Sequence, residues 1–95
     1  MKLLQIHQSD TVATCLEELV AGQIVEWGGE SVTVRDPIPI FHKIAIVSMA
    51  EGSPCVKYGQ SIGVATADIE PGRHVHTHNL ASLRGRGDLG PAERE

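Results

Sequence analysis

Glycine and proline recur at short intervals along this chain, and their spacing limits the length of any regular element. The 95 residues include ten glycines and five prolines. Glycine supplies the positive φ of tight turns, and proline removes a backbone donor from a strand ladder. From Gly22 onward these residues separate short β-prone runs, at 24–27, 31–34, 43–47, 55–58, 62–67 and 73–78. The sequence therefore predicts a mainly β fold.

The N-terminal part of the chain has a different pattern. Residues 1–7 resemble a short opening strand, and Ser9 and Asp10 are residue types that cap helices. Apolar residues then recur with the period of one helical face until Gly22; they are Val12, Cys15, Leu16 and Leu19. This spacing predicts one short N-terminal helix.

Two kinds of turn are predicted further along. The pair Gly28-Gly29 between two β-prone runs indicates a hairpin. A second signal occurs three times, because the segments LVAG at 19–22, MAEG at 49–52 and IEPG at 69–72 each place a large apolar residue three positions before a glycine. A residue that can be buried follows three positions later, at Val25, Cys55 and Val75. We expect one turn geometry in all three, with a buried apolar anchor and a glycine at unusual φ.

Composition excludes several classes of function. With one Trp, one Tyr and one Phe, the core must consist of aliphatic side chains, so a large enzyme pocket needs walls from a partner. The net charge is −4 and the basic residues are scattered, which argues against nucleic-acid binding. Arg84 and Arg86 lie in a Gly-rich tail and are expected to be solvated.

Cysteine usage and hydropathy favour the cytoplasm. Cys15 and Cys55 follow neither a C-x-x-C nor a secreted disulfide pattern, and both lie among apolar residues, where a thiol packs as a small hydrophobe. No apolar run is long enough to span a membrane, and the first residues lack the apolar stretch of a signal peptide. We expect a cytoplasmic protein.

The segment GRHVHTHN at 72–79 is the strongest chemical signal. In a strand, His74, His76 and His78 point to the same side, where two imidazoles can converge on one ion. Neutral imidazole suits Zn, Fe, Ni and Cu, so the residue type alone does not choose the metal. The alternative is a polar strand face with solvated histidines.

Two shorter motifs have weaker signals. His42-Lys43 opens an apolar strand after a Pro-rich segment and suits acid–base chemistry or carboxylate binding. Lys57-Tyr58-Gly59 ends another strand at a turn, where packing is the simpler explanation. Complete hydrolase and nucleotide-binding motifs are absent from the sequence.

Taken together, these motifs resemble a known family. The segments HKIA at 42–45, VKYGQSIG at 56–63 and ADIEPGRHVHTHN at 67–79 are similar to the N-terminal region of altronate and galactarate dehydratases. That region is an SAF-type domain with a β-clip fold. The resemblance extends to residues 6–12 and 83–89. One departure is Phe41, where the family commonly has Gly; this residue puts the substrate range in question.

The resemblance implies a fold, a reaction and roles for individual residues. It implies an SAF-like domain at 1–88 followed by a mobile tail at 89–95. The family eliminates water from sugar acids to give 2-keto-3-deoxy acids, with a divalent metal such as iron(II) or manganese(II). In this chain the implied roles are His42 and Lys43 as catalytic residues, His74 and Asn79 as substrate contacts, and His76 and His78 as metal ligands.

The resemblance also implies a partner. At this length the chain is similar to family members encoded as a small subunit, with a large lyase subunit that we expect to supply the proton-abstracting base. The substrate is then a small sugar acid, and homo-oligomers remain open. Two other interpretations are the small subunit of a sulfolactate sulfo-lyase and a non-catalytic SAF module that only binds a ligand.

Overall fold

A computed structural model describes residues 2–82. The tail predicted at 89–95, the resemblance at 83–89, and Arg84 and Arg86 lie outside the described residues. Within residues 2–82 the chain forms short strands and turns, which confirms the mainly β prediction. The strands are β1 (Leu3–Leu4), β2 (Val12–Cys15), β3 (Ile24–Trp27), β4 (Glu30–Thr33), β5 (Lys43–Ala45), β6 (Pro54–Lys57), β7 (Gln60–Ala65), β8 (His74–Val75) and β9 (Leu80–Ser82).

The strands form three small sheets. The largest has the order β1-β2-β5-β8, β3 pairs with β4, and the third sheet has the order β6-β7-β9. Every pairing is antiparallel. The order of the largest sheet brings together strands that are far apart in sequence, and it sets β8, with the start of the His-rich segment, beside β5.

The predicted N-terminal helix is wrong. The segment that carried the helical spacing forms β2, between β1 and β5, and all four of its residues are buried. Val12 packs in one hydrophobic cluster, while Ala13 and Cys15 pack in the other. A strand buried on both faces shows no alternation of apolar and polar residues. Its apolar residues therefore fitted the spacing of a helical face as well.

Two hydrophobic clusters share the β2–β5 pair as a common wall. Ile44 of β5 packs in the first cluster and Ala45 packs in the second. The first cluster also holds Leu19 and Ile38, and the second holds Met49 and Ile69. Aliphatic side chains therefore form the core, as predicted, and it is divided into two halves.

Both hairpins turn on residues with positive φ. Gly28 and Gly29 join β3 to β4 at φ values of 51° and 86°, which confirms the predicted hairpin. Tyr58 and Gly59 join β6 to β7 at 56° and 78°. Positive φ at both central residues defines the turn that matches the twist of a hairpin, and it is costly for a residue such as Tyr.

The repeated turn is also confirmed. Leu19, Met49 and Ile69 are buried, and the glycines that follow them have φ values between 85° and 94°. In each turn the glycine N–H donates to a backbone carbonyl in or directly after a strand, that of Val34, Ala65 or Ala45. One turn geometry thus occurs three times.

The structure shows a fourth copy of this turn that the sequence did not predict. Ile38 is its buried anchor, and Phe41 occupies the glycine position at a φ of 70°. The Phe41 N–H donates to the Cys15 carbonyl in the way that the three glycines donate to theirs. Because no glycine marks this turn, the spacing of glycines in the sequence did not predict it.

The four turns pair in twos. Leu19 and Ile38 exchange two backbone hydrogen bonds across an isolated antiparallel bridge, and so do Met49 and Ile69. Each bridge lies in one of the two hydrophobic clusters. The fold therefore consists of two similar halves joined through β2 and β5.

Cys15 and Cys55 are fully buried and free, which confirms their predicted packing role. Burial raises the pKa of the Cys15 thiol to about 12. Within residues 2–82, no helix is long and apolar enough to cross a membrane.

Candidate functional site

The His-rich segment is a strand only at its beginning. β8 ends at Val75, and the chain then turns through residues 76–79 before β9 begins. The single strand face predicted for three histidines is therefore replaced by a short strand and a turn. His74 and His76 remain neighbours, with nearly parallel rings whose centroids lie 5.6 Å apart.

Asn79 closes this turn through both atoms of its amide group. Its Oδ1 accepts the His76 N–H at 3.0 Å, and its Nδ2 donates to the His74 carbonyl at 2.9 Å. The role predicted from the resemblance was substrate contact. In the structure the Asn79 amide bonds to the backbone that carries the histidines, and the substrate contact stays a prediction.

Asp36 holds the other end of the segment, and sequence reasoning did not single it out. Its carboxylate accepts the His74 N–H at 3.0 Å and pairs with Arg73 at 3.1 Å. Burial opposes ionisation of this carboxyl, but the His74 N–H and the Arg73 charge outweigh it and hold the pKa of Asp36 below its ordinary value. An Asp directly before a Pro-rich turn was the available signal.

His42 directly precedes β5, the strand that pairs with β8, and its side chain meets the His-rich segment. Its Nδ1 lies 2.9 Å from His74 Nε2, and its ring stacks on that of His76 at a centroid distance of 4.3 Å. Ligand nitrogens of His42, His74 and His76 all lie within 4.8 Å of one another. We call these three residues the imidazole cluster.

His78 lies at the edge of this group. Its ring is tilted against that of His74 at 5.3 Å, and its side chain lines a different cleft together with Asp36, Asp68 and Arg73. The resemblance paired His78 with His76 as metal ligands. The structure gathers His76 with His42 and His74.

The electrostatics favour the neutral imidazoles of His74 and His76. Burial, followed by the charges of His42 and His78, lowers the pKa of His74. Burial and the neighbouring His42 and Lys43 likewise lower the pKa of His76. A neutral imidazole is the form that binds metal ions.

The imidazole cluster fits a divalent ion. Metal–nitrogen distances are about 2.0–2.1 Å, so two nitrogens on one ion lie at most about 4.2 Å apart. The observed separations need only small movements to reach that range. Three nitrogen ligands on one side leave positions open for oxygen ligands of a substrate.

Lys43 lies beside the cluster. Together with His76 it lines a cleft of about 220 Å³, closed on other sides by Ile62 and Leu80. Burial lowers the pKa of Lys43, and the nearby charge of Lys57 lowers it further. A half-buried ammonium of this kind favours an anionic partner.

Tyr58 and the turn that carries it lie near this region and were predicted only to pack. The Tyr58 hydroxyl lies 3.5 Å from the Thr14 hydroxyl, and Thr14 pairs with Lys43 in the β2–β5 register. The Lys57 ammonium lies 4.9 Å from the centroid of the Tyr58 ring. These contacts bring side chains of β2 and β6 and of the turn that follows β6 together.

The Tyr58 turn is held from below by the N-terminal segment. Asp10 is buried and accepts the N–H groups of Gly59, His7 and Ile6. The His7 ring packs against Gly59, where an added Cβ would lie 3.2 Å from it. Asp10 was predicted as a helix cap; it caps a loop and a hairpin turn instead.

The fold and the site define a small, mainly β domain that presents a histidine cluster and a half-buried lysine at one edge of its central sheet. A family model described as the altronate/galactarate dehydratase SAF domain matches residues 1–83. The chain belongs to this family.

Curated relatives agree with that assignment. The altronate dehydratase of Escherichia coli (strain K12) is 42% identical over 83% of this chain, and that of Bacillus subtilis (strain 168) is 41% identical over 80%. The alignments cover 16% and 15% of those proteins. The (2R)-sulfolactate sulfo-lyase subunit alpha of Chromohalobacter salexigens is 45% identical over 54% of this chain and 54% of that protein. These relatives carry the names of lyases, so the chain belongs to a lyase family.

Proposed function

We propose that this chain is the small subunit of a cytoplasmic, metal-dependent hydro-lyase. With a separate large catalytic subunit, the enzyme dehydrates a sugar acid such as altronate to a 2-keto-3-deoxy acid. The observation that carries the proposal is the convergence of His42 with His74 and His76 in a member of this family. The paired turns and antiparallel bridges support a β-clip fold for the domain.

The chemistry assigns each group a task. Elimination of water requires loss of the proton next to the carboxylate and departure of a hydroxyl group. A divalent ion, iron(II) or manganese(II), held by the imidazole cluster would polarise the substrate carboxylate and hydroxyl. Lys43 attracts the carboxylate into the cleft that it shares with His76. The large subunit supplies the base.

Two backbone contacts keep the cluster in place. Asp36 fixes the His74 N–H, and Asn79 fixes both the His74 carbonyl and the His76 N–H. These two residues position the ligands and need no contact with the substrate. Oriented ligands bind a metal more tightly, because less ordering is required on binding.

The test uses the complex of this chain with its large subunit. We expect His42→Ala and His76→Ala each to lower bound metal to below about a tenth and activity on altronate or galactarate by at least about 100-fold. Metal content is measured by mass spectrometry and the product as a 2-keto-3-deoxy acid. His7→Gln is the matched control, because His7 lies outside the cluster, and it should keep its metal.

His78→Ala separates the two possible ligand sets. We expect this variant to keep its metal, because His78 lines a different cleft. Loss of metal in His78→Ala, together with full metal content in His42→Ala, would replace the imidazole cluster by the pair His76 and His78. Failure of the chain to associate with any large lyase subunit would contradict the small-subunit role.

A second candidate function is the small subunit of a sulfolactate sulfo-lyase. It is favoured by a relative that is itself named a subunit, subunit alpha, and is 45% identical over 51 residues. Assay of the same complex for sulfite release from sulfolactate decides between the two. Sulfite release without dehydration of any sugar acid would favour the second function.

A further inference from the structure

Lys43 and Lys57 form a basic pair, of which Lys43 lies beside the imidazole cluster. Each is partly buried, and the Lys57 charge acts on Lys43. Within residues 2–82, no carboxylate makes an ion pair with either of them, whereas Lys2 and Arg73 are both paired. Two neighbouring cations repel each other, and a bound anion relieves that repulsion.

Hydroxyl groups stand next to this basic pair. Tyr58 OH and Thr14 Oγ1 lie 3.5 Å apart, and the Tyr58 ring lies under the Lys57 ammonium. Both hydroxyls can donate hydrogen bonds to an oxyanion. An ammonium group and two hydroxyls in this arrangement match the needs of a carboxylate or a sulfonate.

The backbone at Tyr58 is strained, and this points to more than packing. Tyr58 has a φ of 56°, a region that aromatic residues rarely adopt. Asp10 and His7 fix the following Gly59 and so hold the turn in this conformation. Strain that the surroundings maintain is a feature of ligand-binding sites. Nearly half of the Tyr58 side chain is nevertheless exposed, so core packing does not account for it.

We propose that Lys57 and Tyr58 form an oxyanion subsite for the end of the substrate that is remote from the imidazole cluster, while Lys43 serves the end beside the cluster. The cleft beside the cluster contains His76 and Lys43, and Lys43 pairs across the β2–β5 register with Thr14, whose hydroxyl lies 3.5 Å from that of Tyr58. The subsite then selects acids with an anionic group at each end, such as galactarate, over acids with only one, such as altronate, and so narrows the substrate class of the proposed function. This inference rests on the proposed function and adds a specificity determinant to it.

The test compares acids that differ at one end only. Galactarate and galactonate differ in one carboxylate, and sulfolactate and lactate differ in one sulfonate. Each is titrated against the full-length chain and against its complex with the large subunit, with affinity followed by calorimetry and amide chemical shifts. We expect galactarate to bind about tenfold more tightly than galactonate, as for one charged contact.

Three variants assign this preference to the subsite. Lys57→Met should reduce the preference to within about twofold, and Tyr58→Phe should reduce it by about threefold while the turn is kept. Lys2→Met is the matched control; it removes a paired, exposed lysine and should leave the preference unchanged. A preference in the sulfolactate pair instead of the galactarate pair identifies the remote group as a sulfonate.

The outcomes separate this inference from the proposed function. Equal affinity within both pairs, or an unchanged preference in Lys57→Met, overturns the subsite even if the complex dehydrates sugar acids. If Lys57→Met abolishes a preference for acids with two anionic ends, the subsite is supported even if the complex dehydrates no acid. In that case only the hydro-lyase proposal fails.

Discussion

At the scale of single residues, two aromatic side chains occupy backbone positions that usually require glycine. Phe41 and Tyr58 are the non-glycine residues with positive φ in the described part of the chain. Each directly adjoins a residue of the candidate site, His42 in one case and Lys57 in the other. The departure from the family at Phe41 is therefore a substitution inside a repeated turn. Phe41 is 68% exposed.

Phe41→Gly should stabilise the protein. A left-handed backbone costs an L-residue about 1–2 kcal/mol, and glycine removes this cost. The greater conformational entropy of glycine in the unfolded chain offsets about 0.4–1 kcal/mol of the stabilisation. We expect a net increase of about 0.5–1 kcal/mol in the free energy of unfolding, measured in urea with Trp27 fluorescence.

Gly52→Ala is the matched comparison, because it makes the reverse change in an equivalent turn. Its φ is 85° and no atom lies within 4 Å of an added Cβ, so strain is the only cost. We expect destabilisation by about 1 kcal/mol. A Phe41→Gly variant that is less stable than the wild type would show that the Phe41 side chain packs more than its exposure indicates.

At the scale of elements, the strands are too short to hold the site by themselves. Side chains that accept hydrogen bonds from backbone groups also stabilise it. Asp36 and Asn79 fix the His-rich turn, while Asp10 ties the N-terminal segment to the β6–β7 hairpin. Each of these residues accepts at least one backbone N–H group. The positions of the histidines and of Tyr58 therefore depend on two carboxylates and one amide.

Asp10 should make stability depend on pH. Burial opposes its ionisation, but the N–H groups of Gly59, His7 and Ile6 hold the pKa of Asp10 below its ordinary value of 3.8. Because the folded state has the lower pKa, the stabilisation is complete well above pH 3.8. It is lost as pH falls through 3.8 toward the folded pKa.

Asp10→Asn is the variant that measures this effect. At pH 6 it should destabilise the protein by about 2–3 kcal/mol, since the new amide nitrogen cannot accept the bonds of Ile6 and His7. The difference from the wild type should shrink as pH drops from 6 to 3 in urea unfolding. Asp68→Asn, at an exposed residue with one backbone bond, is the control. A difference that does not change with pH would contradict this role of Asp10.

At the scale of the whole molecule, two similar halves share the β2–β5 wall, and the candidate site lies where side chains from both halves meet. His42 follows the second turn of the first half, whereas His74 and His76 follow the second turn of the other half. The third sheet then anchors the end of the His-rich turn, because the Thr66 N–H next to β7 donates to the Asn79 carbonyl.

Gly63→Ala tests this anchor. Gly63 pairs with Ser82, and an added Cβ would collide with the Ala81 carbonyl oxygen of β9. We expect destabilisation by about 1–3 kcal/mol and faster hydrogen exchange at the Thr66 amide, because β9 is pushed away from β7. Gln60→Ala, at an exposed position of the same strand, should change neither quantity. Unchanged Thr66 exchange in Gly63→Ala would show that β9 does not hold the turn.

Local signals in the sequence determined strands β1 and β3 to β8, the Gly28-Gly29 hairpin and the three glycine turns. These features depend on backbone preferences within a few residues, so the sequence displays them directly. The family was also recognisable, because its motifs are continuous segments. The β2 strand escaped prediction, since burial on both faces is a property of neighbouring chain segments and leaves no alternation to detect.

Only the tertiary structure decided which residues share the site. His42 lies 32 positions before His74 and meets it because β5 pairs with β8. Because β8 ends at Val75 and Asn79 closes a turn directly after it, His78 lies outside the cluster. The fourth turn at Phe41 and the grouping of Lys43 with Lys57 and Tyr58 likewise depend on strand pairing over long sequence distances, which local patterns do not encode.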